Sequence, residues 1–378
     1  MKIFYLFPNS TLRKPTRRND GRFVGQFYDH YGMDVASNYG HETVNDFDIC
    51  EKIEKGIFGR ITDRFINICW SVLGGVGGSW YKVIKLRRRI ANSDVVLSTA
   101  DRVGLPLVLL TYARVIPRRP IIYISIGLLE RLQQLRYGMP KLYRAAFKRC
   151  VNKIICYGFE EKEKLQQLLP SMASAITFIP FGVDTNYFKP TPTKASDTFI
   201  LCIGADPNRD FDLLVKIANK IPSDILIVTT ARRLAQLKQT WRTLPKNIRT
   251  MTDIPFPEVK TLIAQALFVV IPLKENSYSG GTTTLLQGMA MGKSVLVSQT
   301  GAIKNGYHLQ NGINCFLVKP EDELELLTAM LFLIEHPERR AEVGIYARRT
   351  ALMHLTWNRY VNNLFAIVSH LNTKGTTL

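Results

Sequence analysis

The sequence predicts an α/β fold made of two doubly wound domains, each a parallel sheet covered by helices on both faces. Three observations predict it. Short β-branched runs alternate with segments of helical length along the chain, which is the pattern of buried parallel strands and crossover helices. The stretch Val269 to Thr300, VVIPLKENSYSGGTTTLLQGMAMGKSVLVSQT, reads as one complete βαβ unit. Its parts are an apolar run from Leu267 to Leu273, a small-residue turn, a helix from Thr282 to Met291 closed by Gly292, and a second β-branched run from Ser294 to Ser298. Finally, 378 residues with 46% hydrophobic content supply two cores, since a typical domain is about 100–150 residues.

The elements follow in order. Lys2 to Phe7 is a buried strand rather than a signal peptide, and Pro8-Asn9 ends it. Arg13 to Gly25 is a polar, glycine-punctuated loop, and Gly32 to Ser37 is read as a second strand. Ile57 to Trp70 is an amphipathic helix with Ile57, Phe58, Ile61, Phe65, Ile68 and Cys69 on one face. Arg60, Asp63, Arg64 and Asn67 lie opposite. A glycine-rich segment, Leu73 to Tyr81, and a basic cluster at Lys85, Arg87, Arg88 and Arg89 come next. Phe58, Phe65, Trp70 and Trp80 beside those cations suit a bilayer interface, and core packing is the other reading of the same helix. Asp94 to Thr99 is a strand, Val103 to Arg114 a helix, and Ile121 to Ser125 a strand ending at Gly127. After a helix from Glu160 to Leu169, Thr191 to Asp197 has linker composition. A second sheet begins at Thr198 to Ile203, with Gly204 opening its first loop, and continues at Ile225 to Thr229 and Ile248 to Thr250. Helices follow at Phe256 to Ala266, Pro337 to Ala351 and Leu355 to Leu371.

Charge and cysteine usage narrow the function classes. The net charge is +19, and residues 1–190 hold 29 Lys and Arg against 16 Asp and Glu, so the excess is N-terminal. Besides the cluster after Tyr81, basic residues gather at Arg13-Lys14 with Arg17-Arg18 and at Arg118-Arg119. Solvated surface and anionic lipid both remain open as explanations, whereas no nucleic-acid-binding motif accompanies the charge. No window approaches the roughly 18 apolar residues of a membrane span. A cytoplasmic protein, peripheral on the inner membrane face, is the expectation. The six cysteines form no CxxC pair and are expected as reduced, buried thiols, with no metal site.

The turn Ser279-Gly280-Gly281 falls between a strand's carboxyl end and a helix's amino end, where free N–H groups and the helix dipole favour a diphosphate. Adjacent glycines let the backbone approach such a ligand. A plain βα turn is the alternative. The helix that follows, LLQGMAMGKSVLV, resembles the LLEAMAxGxPVI signature of retaining GT-B glycosyltransferases of family 4 through Leu285, Leu286, Met289, Ala290, Gly292 and Val295. Gln287 stands at the family's ribose-binding glutamate, and strict spacing puts Ser279 rather than Glu275 at its first glutamate. Ile179 to Pro190, IPFGVDTNYFKP, resembles the segment IPNGVDTxxFxP joining the two domains of these enzymes, and Arg149 to Cys156 and Leu309 to Pro320 resemble further family segments.

The resemblance implies a GT-B fold, two Rossmann-like domains facing a cleft. Residues 1–190 would form the acceptor-binding domain, 191–355 the nucleotide-sugar-binding domain, and 356–378 a helix crossing back. It implies a sugar transferred with retention from a nucleotide-sugar donor to a lipid-linked or polysaccharide acceptor, without a cofactor or metal. Arg209 is the candidate for the phosphate-binding cation, because Ala205 replaces the family's first one; pairing with Asp210 or Asp212 is the bland alternative. Gly204, Ser279, Gly280, Gly281, Thr282 and Gln287 would complete the donor site. Glu275 would touch the sugar hydroxyls or be a solvated loop residue, and Gly127 would lie on the acceptor side, where the family's nearby histidine is missing. A non-catalytic GT-B partner subunit and a nucleotide-sugar epimerase are the alternatives.

Overall fold

The computed structural model describes residues 1–8, 16–17, 23–24, 30–191 and 199–373. The rest of the expected loop at Arg13 to Gly25, with Arg13, Lys14 and Arg18, and linker residues 192–197 lie outside the described residues. The chain divides into two compact units. One comprises Met1–Tyr157, Glu161–Ile179 and Val361–Leu378, and the other comprises Gly158–Glu160 and Pro180–Tyr360.

Six strands of the first unit's main sheet and a small pair are set out in chain order as β1 (Lys2–Leu6), β2 (Thr16–Arg17), β3 (Phe23–Val24), β4 (Glu42–Val44), β5 (Val95–Ser98), β6 (Ile121–Ile124), β7 (Lys153–Cys156) and β8 (Ile176–Phe178). The main sheet is wholly parallel in the order β4-β1-β5-β6-β7-β8, while β2 and β3 pair antiparallel. Strands β5 and β6 are buried along their full length, as β-branched runs covered on both faces must be. The chain goes from β1 outward to β4 and returns to the other side of β1 at β5. This reversal places a switch point between the carboxyl ends of β1 and β5, the usual position of a ligand crevice in an open α/β sheet.

The second unit repeats the plan with β9 (Phe199–Ile203), β10 (Asp224–Thr229), β11 (Ile248–Thr252), β12 (Ala266–Ile271), β13 (Val295–Ser298) and β14 (Phe316–Val318). Its order is β11-β10-β9-β12-β13-β14, also all parallel, so its switch point lies between β9 and β12.

Several expectations are corrected. Gly32 to Ser37 is not a strand: Met33–Tyr39 is a 3-10 helix whose flanking Gly32 and Gly40 are both left-handed, at φ 77° and 72°. Trp70 and Trp80 are not interface anchors. Trp80 is 5% exposed, their rings meet edge to face at 5.2 Å, and their indole N–H groups donate to Tyr143 Oη and Asn67 Oδ1. The glycine-rich segment between them is a close-packing device, because a Cβ on Gly75 would sit 2.2 Å from Trp70 Nε1 and one on Gly78 2.4 Å from Pro106. Cys69 is exposed, while Cys50, Cys150, Cys156, Cys202 and Cys315 are buried thiols. Arg87 and Arg88 are exposed, and Arg89 pairs with Asp48 at 2.6 Å.

Candidate functional site

In the second unit, two loops leave the carboxyl ends of β9 and β12 and zip together across the switch point. Asp210 N–H donates to Pro272 O and Lys274 N–H to Asn208 O, both at 2.9 Å, and Arg209 bridges Leu273. Asp210 also caps the next helix, accepting from Leu213 N–H at 3.1 Å. These bonds fix the end of the loop after β9 against Pro272–Lys274, the segment that leaves β12.

Arg209 lies at the floor of this place, 2% exposed. A Cβ on Gly204 would fall 2.3 Å from its Nη2, so that glycine is what lets the guanidinium lie across the backbone. Its counter-ion is neither Asp210 nor Asp212, as the bland alternative had it, but Asp206, at 3.2 Å from Nη2. Asp212 instead accepts from Trp241 Nε1 at 2.8 Å. Arg233, from the helix Ala231–Thr240 after β10, grips the Pro207 and Arg209 carbonyls at 3.1 and 3.3 Å. Sequence reading missed it, although an arginine in the first turn after a strand's carboxyl end was the available signal.

The turn itself differs from expectation in which glycine does what. Gly281 is left-handed at φ 75°, and a Cβ there would strike Ile271 Cγ2 at 2.9 Å, so its hydrogen side chain is required by the fold. A Cβ on Gly280 would instead point between Asp206 Oδ1 at 3.5 Å and Asn276 Oδ1 at 3.6 Å. Gly280 is therefore the glycine that keeps the cradle open. Its N–H donates to Tyr278 O at 2.7 Å and that of Thr282 to Ser279 O at 3.4 Å, whereas Gly281 N–H has no such backbone partner among the described residues. The helix Thr282–Ala290 has no side-chain N-cap, so its first-turn N–H groups face the same opening with the positive end of the dipole.

Four buried polar atoms converge on this turn without a hydrogen-bond partner among the described residues: Asp206 Oδ1, Arg209 Nη1, Asn276 Oδ1 and Thr282 Oγ1. Leaving a buried donor or acceptor unpaired costs roughly 1–3 kcal/mol, so such a cluster marks a place where a ligand completes the bonding. Gln287 is buried on the same helix at 5% exposure. Glu275 is exposed, yet its Oε1 accepts from Gly301 N–H at 2.9 Å and Asn276 N–H at 3.1 Å, so it ties the loops after β12 and β13 together.

Gly127 in the first unit is left-handed at φ 107° and opens a short helix after β6. No histidine stands there, and carboxyls surround it instead. Tyr123 Oη donates to Asp101 Oδ1 at 2.9 Å, Ile126 N–H reaches Asp101 Oδ2 at 3.3 Å, and Ser125 Oγ donates to Glu161 Oε1. Burial pushes Asp101 up to about 6, opposed by the Tyr123 hydrogen bond, and pushes Glu161 up to about 8, opposed by the Ser125 bond. No group of His, Cys, Asp and Glu able to hold a metal ion occurs among the described residues.

Comparison with known proteins bears on the fold. Residues 197–336 match the family model for group 1 glycosyl transferases. A sequence search of curated proteins found no match. Among solved structures, sucrose-phosphate synthase from Thermosynechococcus elongatus superposes with a TM-score of 0.75 at 15% identity, covering 99% of this chain and 100% of that one. Anabaena HepE in complex with UDP-glucose gives 0.70 at 14% identity, covering 98% and 100%. A glycosyltransferase from Rickettsia africae gives 0.66 at 14%, covering 97% of each. The fold is GT-B.

Proposed function

We propose that this GT-B chain is a retaining glycosyltransferase that moves a sugar from a nucleotide-sugar donor to a lipid-linked or polysaccharide acceptor at the cytoplasmic membrane face. The observation that carries the proposal is the set of four unpartnered buried atoms around Gly280 at the β9/β12 switch point. The match of residues 197–336 to group 1 glycosyl transferases and the UDP-glucose complex of HepE support it.

In this mechanism the diphosphate lies over Gly280, with Arg209 and the first-turn N–H groups of the helix Thr282–Ala290 taking its charge. Little acid–base chemistry is asked of the protein. The leaving diphosphate takes the acceptor proton on the face where the sugar–acceptor bond forms, and holding both substrates in register supplies the remaining rate. Arg209 carries the charge neutralisation without a resident metal. Gln287 offers the donor ribose a carbonyl acceptor and amide donors. The membrane side of the proposal rests on the helix Ile57–Val72, whose Ile57, Phe58, Ile61, Phe65, Ile68 and Val72 are all exposed.

The test is a panel of nucleotide sugars read by thermal shift and by release of nucleoside diphosphate. A cognate donor at 100 times its dissociation constant stabilises by about 2.7 kcal/mol. No shift and no transfer with any donor would sink the proposal. One observation favours a second reading, a non-catalytic GT-B subunit: the carboxylate of Asp206 stands beside the arginine expected to hold a diphosphate. Donor binding without any transfer to any acceptor would select it.

A further inference from the structure

The first unit has its own cavity at its own switch point. A pocket of about 320 Å³ is bounded by Pro8, just past β1, and Arg102, just past β5, with the helix Ile57–Val72 along one side. Four cations line it, Arg60, Arg64, Lys82 and Arg102, against two carboxyls, Glu54 and Asp63. Lys82 is the structural member: it is 3% exposed and pairs with Asp46 at 2.9 Å and with Glu54. Asp63 accepts from Tyr81 N–H at 2.8 Å, so it too is committed to the wall. The remaining lining cations, Arg60, Arg64 and Arg102, are exposed, Arg102 donating its Nε–H to Ser79 Oγ at 3.2 Å, and the planar forks of arginine suit phosphate oxygens.

The same helix carries a second, adjacent stripe. At 100° per residue, Ile57, Phe58, Ile61, Phe65, Ile68 and Val72 fall within an arc of about 100°, and Arg60, Asp63, Arg64 and Asn67 occupy the next arc of the same width. The apolar six are 55–72% exposed, more bare hydrocarbon than scattered surface residues account for. Neither stripe explains the other, but one amphiphile explains both. The pocket is at the small end of ligand cavities, which begin at about 300 Å³, and so admits a head group and not a tail.

We propose that the pocket seats the anionic head of the acceptor while the apolar stripe meets its hydrocarbon chain, so that the acceptor is a lipid phosphate or diphosphate rather than a free polysaccharide. The proposal rests on the glycosyltransferase function above and narrows its acceptor class. An uncharged glycan gives the arginines no counter-charge, and it has no hydrocarbon chain to follow the stripe from the pocket to the membrane.

The test measures binding of farnesyl diphosphate to the full chain by calorimetry, with inorganic diphosphate, farnesol and dextran as competitors. Farnesyl diphosphate is expected to bind at least tenfold more tightly than inorganic diphosphate or farnesol. Arg64→Glu and Arg102→Gln each lower its affinity at least tenfold, and Phe65→Ser lowers it without changing inorganic diphosphate. Arg209→Gln leaves it unchanged and weakens only nucleotide-sugar binding. Arg64, Phe65 and Arg102 are exposed, so these variants are expected to fold, and melting curves check it. Equal affinity for farnesyl and inorganic diphosphate would reduce the pocket to an anion site and overturn the proposal. So would undiminished affinity in Arg64→Glu and Arg102→Gln, or displacement by dextran. Failure of wild type to bind any nucleotide sugar would overturn the transferase function instead, which these arms read separately.

Discussion

Replacing the two glycines of the β12 turn one at a time separates what the fold needs from what the ligand needs. Gly281→Ala forces an L residue into φ 75° and drives its methyl to 2.9 Å from Ile271 Cγ2. The left-handed conformation costs roughly 1–2 kcal/mol and the overpacking roughly 1–3 kcal/mol. At about 2–4 °C per kcal/mol for a unit of this size, the melting temperature should fall by roughly 4–20 °C. Gly280→Ala meets neither problem. Gly280 is outside the positive-φ region, and its new methyl would sit at ordinary contact distances of 3.4–3.6 Å from Tyr278, Asp206 and Asn276. Its stability should stay within about 1 kcal/mol of wild type.

The ligand sees the opposite order. A phosphate oxygen that hydrogen-bonds in the cradle approaches to about 2.9 Å, and a methyl carbon there holds it off at about 3.5 Å. Losing one charge-assisted bond is worth roughly 1.5–3 kcal/mol, a tenfold to hundredfold loss of affinity. The assay is calorimetric titration with the nucleotide sugar that most stabilises wild type, beside thermal melts of each variant. A folded Gly280→Ala that binds as wild type does would refute the placement of the diphosphate over this turn. An unshifted melt for Gly281→Ala would refute the packing argument.

Arg209→Gln should weaken nucleotide-sugar binding at least tenfold and also lower the melting temperature by a few degrees, because Asp206 loses its ion-pair partner; calorimetry and melts read the two effects independently. Wild type should co-sediment with anionic vesicles at low salt, and Phe65→Ser should largely remain in the supernatant; equal binding of the two proteins would remove the exposed stripe from membrane contact. Glu161, with its folded pKa raised to about 8 above an ordinary value near 4.5, favours the fold while protonated, so its contribution to stability should be fully present below pH about 4.5 and be lost progressively as pH rises to about 8. Glu161→Gln should flatten that slope, and an unchanged pH profile of melting temperature would contradict the burial argument.

The sheets were legible because buried parallel strands carry their signal locally. Val95–Ser98, Ile121–Ile124 and Ala266–Ile271 are β-branched or apolar runs of a length only a strand has. Met33–Tyr39 misled because MDVAS has strand composition, and composition does not say that no neighbouring strand is available to pair. The flanking Gly32 and Gly40 were the better evidence, since both sit where only a tight helical turn would put them. The helix Glu323–Glu335 went unread although Asp322, which accepts from Glu325 N–H at 2.9 Å, is an ordinary cap signature. Trp70 and Trp80 show a different limit. An aromatic beside glycines and cations looks the same in sequence whether it faces lipid or packs in the cavity those glycines vacate.

The candidate site was half legible for a related reason. Spacing finds groups brought together by one element, and so it found Ser279, Gly280, Gly281, Thr282 and Gln287, which belong to one turn and one helix. It does not find groups brought together by strand order. Asp206 and Asn276 both come close to Gly280 only because β9 and β12, paired at Phe199 and Ala266 across 67 residues of sequence, are neighbours in the sheet. Asp101 and Glu161 meet around Gly127 because β5, β6 and β7 are consecutive neighbours. The order of each sheet therefore decides where its chemistry gathers. In both units the chain reverses direction beside its first strand, and arginines gather near that reversal: Arg209 on the loop after β9 and Arg233 on the helix after β10 in the second, Arg60 and Arg64 on the helix Ile57–Val72 and Arg102 on the helix after β5 in the first. Cations near two separate switch points fit the anionic donor and the anionic acceptor proposed above, because each substrate then meets its counter-charge on a different sheet.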